Sequence, residues 1–192
     1  MTQDISVLKD KYKNKTVYII GKGPSLKFLK KQDIEDGVVI TINDAIAKIE
    51  ELNIDNDVYA MEKDGWYIEW TNHQEEHDCS IHSIMPTRYP VLLHKHESPN
   101  CIPDYFNRII FNNLELGLEI TRPSAISAIK IGELMGCDKF VLISFDACTI
   151  EDYSTYIPGT EEMENNPSYK NICVLMNQFL DKLNYKWITP QQ

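Results

Sequence analysis

Val17-Tyr18-Ile19-Ile20-Gly21-Lys22-Gly23-Pro24-Ser25-Leu26 is the stretch that decides the fold class. Four apolar or aromatic residues run into a glycine, the mark of a buried strand that stops abruptly. Gly21 and Gly23 let the backbone turn and come close to another group. Pro24 has a fixed φ and no N–H to leave unpaired, so it suits the first turn of a helix. Ser25 can cap that turn, and SLKFLKK continues it. Strand, glycine loop and helix start together aim backbone N–H groups at a phosphate; the alternative is a tight turn with no ligand. Position 26 is leucine, not the third small residue of the dinucleotide fingerprint, and the ATPase phosphate-loop pattern is absent. A valine at Gly23 is expected to block a ligand's approach while the fold persists.

Outward from this loop the chain alternates. GVVITIN (37–43) reads as a second strand, followed by the helix DAIAKIEELN; DVYAM (57–61) reads as a third strand. RIIFNN (108–113) and KFVLISFD (139–146) are further strands, separated by a helix that opens at Pro123-Ser124 and ends at Gly136. YKNICVLMNQFLDKLN is an amphipathic helix and YKWIT a last strand. Residues 1–14 read as a short polar helix, ISVLKDKY. This alternation calls for a single α/β domain over 1–192, a Rossmann-like three-layer fold with a mainly parallel sheet. Residues 65–105, with strand-like pieces such as YPVLLHK, are expected to carry the fold's own additions. Residues 147–169 lack periodicity and are expected to form a lid or a solvated loop.

Composition sets bounds. The chain has 192 residues, 43% hydrophobic and 25% charged, ordinary values for a globular domain. No apolar run approaches a membrane span, and the polar start is no signal peptide. The net charge of −10 argues against a dedicated nucleic-acid coat. The charge is uneven: Lys9, Lys11, Lys13, Lys15, Lys22, Lys27, Lys30 and Lys31 crowd the N-terminal part. Five cysteines without a CxxC pair are expected to be reduced thiols of a cytoplasmic protein, with Cys137 and Cys173 as core fillers and the burial of Cys148 open.

Candidate site residues sit at strand ends. Asn43 and Asp44 follow the second strand and serve either as N-caps or as contacts to a ribose or base. Asp64 follows the third strand and is either a solvated turn acid or a polar contact, metal ligand or base. Asp146 ends the apolar strand 139–146 and is either a turn residue or a contact to ribose, phosphate or Mg²⁺. His73, His77, Cys79 and His82 form a cluster whose spacing fits no familiar zinc pattern, so surface histidines are the plainer reading. His94 and His96 alternate along a strand, toward solvent or a substrate. Trp66, Tyr67 and Trp70 read as core or wall.

VYIIGKGPSL, ITIND and PSAISAIKIGELMGCDKFVLISFDA together resemble two related groups. One is the bacterial lipooligosaccharide sialyltransferases, which use a CMP-sugar donor. The other is the 6-hydroxymethylpterin pyrophosphokinase-like family, found in bacterial and phage genomes. The resemblance covers most of 16–50 and 117–147 together with the closing NYKWITP. It implies a nucleotide-binding transferase in which Gly21, Gly23, Pro24 and Ser25 hold the donor's phosphates. It further implies that Asn43 meets the nucleoside or sugar, Ser124 lies at the donor site and Asp146 sits near the ribose or a metal. The sialyltransferases carry a catalytic histidine after the last long strand, and this chain has no histidine beyond His96.

Two enzymatic readings follow, and a non-catalytic nucleotide-binding module is the third. The first is a glycosyltransferase with a nucleotide-sugar donor, in which helix N-termini and Lys22 offset the leaving phosphate's charge and Asp64 or a tyrosine takes the acceptor's proton. The second is a Mg²⁺-dependent pyrophosphokinase-like enzyme using ATP, with Asp64 and Asp146 as metal ligands. The acceptor (carbohydrate, small molecule or modified DNA) and a homo-oligomeric state stay open.

Overall fold

Eight parallel strands form the centre of the computed structural model, which describes residues 2–62, 87–94, 107–119, 123–156, 163–165 and 167–192. They are β1 (Thr2–Asp4), β2 (Thr16–Ile20), β3 (Val38–Ile42), β4 (Asp57–Glu62), β5 (Val91–His94), β6 (Arg108–Phe111), β7 (Lys139–Ile143) and, last in the chain, β10 (Tyr185–Ile188). A separate antiparallel pair, β8 (Ser154–Tyr156) and β9 (Met163–Asn165), precedes β10. Among the described residues the α-helices are α1 (Ile46–Leu52), α2 (Ser124–Leu134), α3 (Asp146–Thr149) and α4 (Tyr169–Leu180).

The sheet is buried on both faces, as a parallel sheet requires. All five residues of β3 are buried, and four of them are apolar, Thr41 being the polar exception. On one face Ile19, Ile40 and Leu142 pack with Ile126 and Ile129 of α2 and with Met176 and Leu180 of α4. On the other, Tyr18, Ile20, Val39 and Ile143 pack with Leu26, Leu29, Ile46 and Ile49. The result is three layers.

Strand order across the sheet is β1-β6-β5-β4-β3-β2-β7-β10. From β2 the chain steps through β3, β4, β5 and β6 in one direction. The segment carrying α2 then returns to β7, on the far side of β2. β2 and β7 lie in register, Ile19 beside Leu142 and Ile20 beside Ile143. The order of connection reverses between these two strands, and such a reversal opens a crevice at their carboxyl ends.

α2 ends as the sequence implies. Gly136 has φ +81°, its N–H donates to Glu133 O, and the N–H of Cys137 donates to Gly132 O. This double bond closes the helix, and only glycine adopts that φ without strain.

Three expectations about local structure are corrected. Residues 2–14 are not an α-helix: Thr2–Asp4 adds a parallel edge strand to β6, and Ile5–Leu8 forms a 3₁₀ turn capped by Asp4, whose Oδ1 accepts from Ser6 N–H. The segment after the glycine loop is a five-residue 3₁₀ turn, Pro24–Phe28, rather than an α-helix. Leu26 and Leu29 are both buried against the sheet, and a spacing of three aligns side chains in a 3₁₀ turn. Val91–His94, inside the strand-like piece YPVLLHK, is a strand as expected and is fully buried between β4 and β6, so what is corrected there is the placement of a histidine. His94 therefore does not face solvent. It is 2% exposed, and its Nε2 accepts from Asn113 N–H at 3.0 Å.

Cysteine usage is also corrected. Cys148 and Cys173 form a disulfide joining α3 to α4. Cys137 is buried as a thiol, as expected of a core filler, and burial pushes its pKa up to about 12. The zinc-pattern cluster, His96, Trp66, Tyr67, Trp70 and Cys101 lie outside the described residues. No helix among the described residues is long and apolar enough to cross a membrane.

Leu142, fully buried on β7, tests the layered core. Leu142→Ala is expected to lower unfolding free energy by about 3 kcal/mol through lost transfer energy and a cavity. Leu114→Ala, on a loop and 60% exposed, is expected to change it by less than about 0.5 kcal/mol. Urea denaturation of both variants measures the contrast.

Candidate functional site

A cavity of about 360 Å³ opens at the carboxyl ends of β2 and β7. Its floor is made by Gly21, Lys22 and Gly23 after β2 and by Ser144–Cys148 after β7. Asn43 after β3, the start of α2 and the start of α4 complete it. Ile42, Ala125, Phe145 and Ile172 supply apolar wall. Of the residues expected at the site, Gly21, Lys22, Gly23, Asn43, Ser124 and Asp146 meet here, although they come from four separate parts of the chain. Pro24 and Ser25 do not line it, and Asp64 lies outside the described residues.

The glycine loop is engaged by the protein itself. Gly21 N–H donates to Ile143 O and Gly23 N–H to Ser144 O, both at 2.8 Å. Leu26 N–H donates to Gly23 O. Ser25 donates twice to Asp146 Oδ2, from its hydroxyl at 2.8 Å and its backbone N–H at 3.2 Å. The N–H groups of Gly21, Gly23 and Ser25 thus meet internal acceptors, and a carboxylate oxygen sits where a phosphate oxygen was expected. Gly23 is required by this arrangement: a Cβ there would stand 1.8 Å from Asp146 Oδ2 and 2.7 Å from Ser144 O. The close approach served by this glycine is that of Asp146.

Asp146 is 1% exposed. Burial pushes its carboxyl above the ordinary carboxylate value, against the downward pull of hydrogen bonds from Ser25 and from its own backbone N–H. Oδ1 is buried with no hydrogen-bond partner among the described residues, and so is Ser144 Oγ. A carboxyl with one oxygen held and one unengaged is set to accept from a further donor.

Lys22 is not a lone cation. Its Nζ contacts Asp44 Oδ2 at 2.7 Å, with both side chains mostly buried. Neither Asn43 nor Asp44 caps α1: the helix has no side-chain cap hydrogen bond, and Asn43 has φ +48°, outside the extended conformation of an N-cap. Ser124 opens α2, whose N-terminus carries no side-chain cap. That end is held by a buried relay, in which Ser127 Oγ donates to Asn113 Oδ1 at 2.8 Å and Asn113 N–H donates to His94 Nε2. The helix N-terminus, with its partial positive charge, is thereby fixed to the ends of β5 and β6.

The segment expected as a lid contains the β8–β9 pair. Tyr156 N–H donates to Lys22 O at 2.8 Å, and Thr155 Oγ1 donates to Tyr169 OH at 3.0 Å. Ser144, Tyr169 and the cysteine pair escaped sequence reasoning. Ser144 has φ +59°, a left-handed conformation that costs about 1 kcal/mol and that no neighbouring residue announces. An odd cysteine total concealed the pair. Among the described residues no three of His, Cys, Asp and Glu gather as metal ligands.

Compared with models of known protein families and with curated proteins, the chain matches none.

Two variants test the floor. Gly23→Ala is expected to lower stability by about 1–3 kcal/mol without any ligand, as overpacking does. The expectation that a side chain at Gly23 leaves the fold intact is thus replaced, because Ser144 O is backbone and cannot swing away. Asp146→Asn tests the raised pKa. The fold favours the protonated carboxyl, so this group's stabilisation is complete below the ordinary carboxylate range and is lost as pH rises through the higher folded value. Wild-type stability relative to Asp146→Asn is expected to fall over that window and then level off, read from urea midpoints against pH.

Proposed function

We propose that the protein is a nucleotide-binding transferase of Rossmann-like design, and that it transfers a sugar from a nucleotide-sugar donor. The observation that carries this reading is one cavity holding both a helix N-terminus and a buried carboxyl with an unengaged oxygen, at the reversal of strand order. A nucleotide presents two chemistries. Its ribose and base donate hydrogen bonds, which suits Asp146 Oδ1 and Ser144 Oγ. Its phosphates are anionic, which suits the N-terminus of α2 and the Ser124 hydroxyl. Asp146 Oδ2 already takes the N–H and hydroxyl of Ser25, which leaves neither donor for a phosphate beside the glycine loop. The phosphate position therefore moves from that loop to α2, and the loop becomes the floor beneath the nucleoside.

The motifs shared with the sialyltransferase and pyrophosphokinase-like groups support the same placement for Asn43, Ser124 and Asp146. Lys22 acts on the leaving phosphate as one member of a pair with Asp44, so its effect is smaller than that of a lone lysine. Asp64 is the base of the sequence reading; within the described wall, Tyr169 offers a hydroxyl for the acceptor's proton. The acceptor is a carbohydrate, a small molecule or modified DNA, and the setting is cytoplasmic. The second reading, Mg²⁺-dependent pyrophosphoryl transfer from ATP, draws on the same unengaged Asp146 Oδ1 as a metal ligand.

A thermal-shift panel of CMP, UDP, GDP and ATP, each with its sugar conjugate where one exists and each with and without Mg²⁺, decides between them. The expected result is stabilisation by a nucleoside mono- or diphosphate and by its sugar conjugate without metal, about 2.7 kcal/mol at a hundredfold excess over Kd. Asp146→Asn is expected to weaken that binding about tenfold, the scale of one charged hydrogen bond. Stabilisation by ATP only with Mg²⁺ establishes the second reading instead. No shift with any nucleotide overturns both.

A further inference from the structure

The disulfide between Cys148 and Cys173 borders the same cavity, and both cysteines line it. Cys148 lies two residues after Asp146, in a helix anchored on both sides: Asp146 is held by Ser25, and Thr149 Oγ1 meets Thr189 Oγ1 at 2.9 Å. Cys173 lies in α4, which is rooted in the core by Met176 and Leu180. Toward its start, α4 has no side-chain cap, and there Ser168, Tyr169 and Ile172 form cavity wall. Tyr169 is tied to β8 by Thr155, and β8 to the glycine loop by Tyr156. The S–S bond thus clamps the wall made by early α4 onto the floor made by Ser144–Cys148, across the space a ligand would fill. The cavity also gives a small dithiol a route to the sulfurs.

We propose that Cys148–Cys173 is a redox control on this cavity. Oxidised, it holds early α4 and β8 closed over the floor; reduced, it releases them and weakens ligand binding. The ligand arm rests on the nucleotide reading above, whereas the movement of the wall rests on the geometry alone. The chemistry is thiol–disulfide exchange with a dithiol reductant. One reductant thiolate attacks a cysteine sulfur and the S–S bond breaks to a mixed disulfide. The second reductant thiol then displaces the remaining cysteine sulfur. Two electrons and two protons pass to Cys148 and Cys173, and the reductant leaves as a cyclic disulfide. A disulfide oxidant reverses the exchange. Preorganised walls bind more tightly because less freedom is lost on binding, so the oxidised form is the tighter binder.

The test uses the full chain, oxidised and after dithiothreitol, beside a Cys148→Ser/Cys173→Ser double variant. Non-reducing peptide mapping first reads the pairing; recovery of both cysteines as free thiols from protein purified without reductant overturns the proposal. Amide exchange is then followed at Tyr156 and at 169–173, with Leu142 on β7 as the internal reference. The expected result is exchange about tenfold faster after reduction at the wall and unchanged at Leu142, the scale on which a lost constraint shifts local opening. The double variant is expected to exchange at the reduced rate in both conditions, which separates this pair from the other cysteines. Unchanged exchange at the wall overturns the proposal. CMP titration of both forms supplies the second arm, with Kd expected about tenfold weaker after reduction. Equal CMP affinity with a loosened wall overturns the control of binding. A loosened wall with none of CMP, UDP, GDP and ATP bound in either form supports the redox movement and counts against the nucleotide reading.

Discussion

One carboxylate oxygen, Asp146 Oδ2, holds the top of the sheet together. It accepts from the hydroxyl and the N–H of Ser25, and so joins the loop after β7 to the turn after β2 across 121 residues of sequence. The contact requires Gly23, because any side chain there would enter the space of the carboxylate. It also involves Ser144, whose left-handed backbone accompanies a carbonyl turned to accept from Gly23 N–H. Remove the carboxylate and the Ser25 N–H and hydroxyl lose their acceptor in a buried place, which is more costly than the bond itself was favourable.

This constraint shapes the electrostatics of the cavity. The N–H groups of Gly21, Gly23 and Ser25 are turned inward onto acceptors of the protein itself. Lys22 is neutralised by Asp44. A partial positive charge stands at the start of α2, and Asp146 Oδ1 and Ser144 Oγ are buried without a hydrogen-bond partner among the described residues. The relay from His94 through Asn113 to Ser127 sets where that positive end stands. The disulfide sets how closely α4 stands over both.

Much of the fold was legible because burial on two faces leaves a strong trace. VVI (38–40) and FVLI (140–143) are apolar runs, as expected of strands in the middle of a parallel sheet. Gly136 marked a helix end because a positive φ there favours glycine. β1 was not legible: Thr2–Asp4 is three exposed residues at an edge, with no pattern to read. The five-residue turn after the loop misled because Leu26 and Leu29 fit a helix as well as a 3₁₀ turn. For the site, residue types at strand ends pointed to Gly21, Asn43 and Asp146, and the motif resemblance pointed to Ser124 at a helix start; all four line one cavity. The role of the loop did not follow from type, since a glycine that admits a ligand and one that admits a carboxylate look alike.

By itself, the sequence determined that strands and helices alternate in one parallel α/β sheet, and where several of its strands end. Periodicity and glycine placement are local, and local signals suffice for elements. Tertiary structure alone decided which ends meet. It placed β7 beside β2, brought Asp146 under Gly23, paired Lys22 with Asp44 and linked Cys148 to Cys173. Each of these joins residues distant in the chain or turns on a distance of an ångström or two. Such contacts depend on how the layers pack, and no short stretch of sequence encodes that.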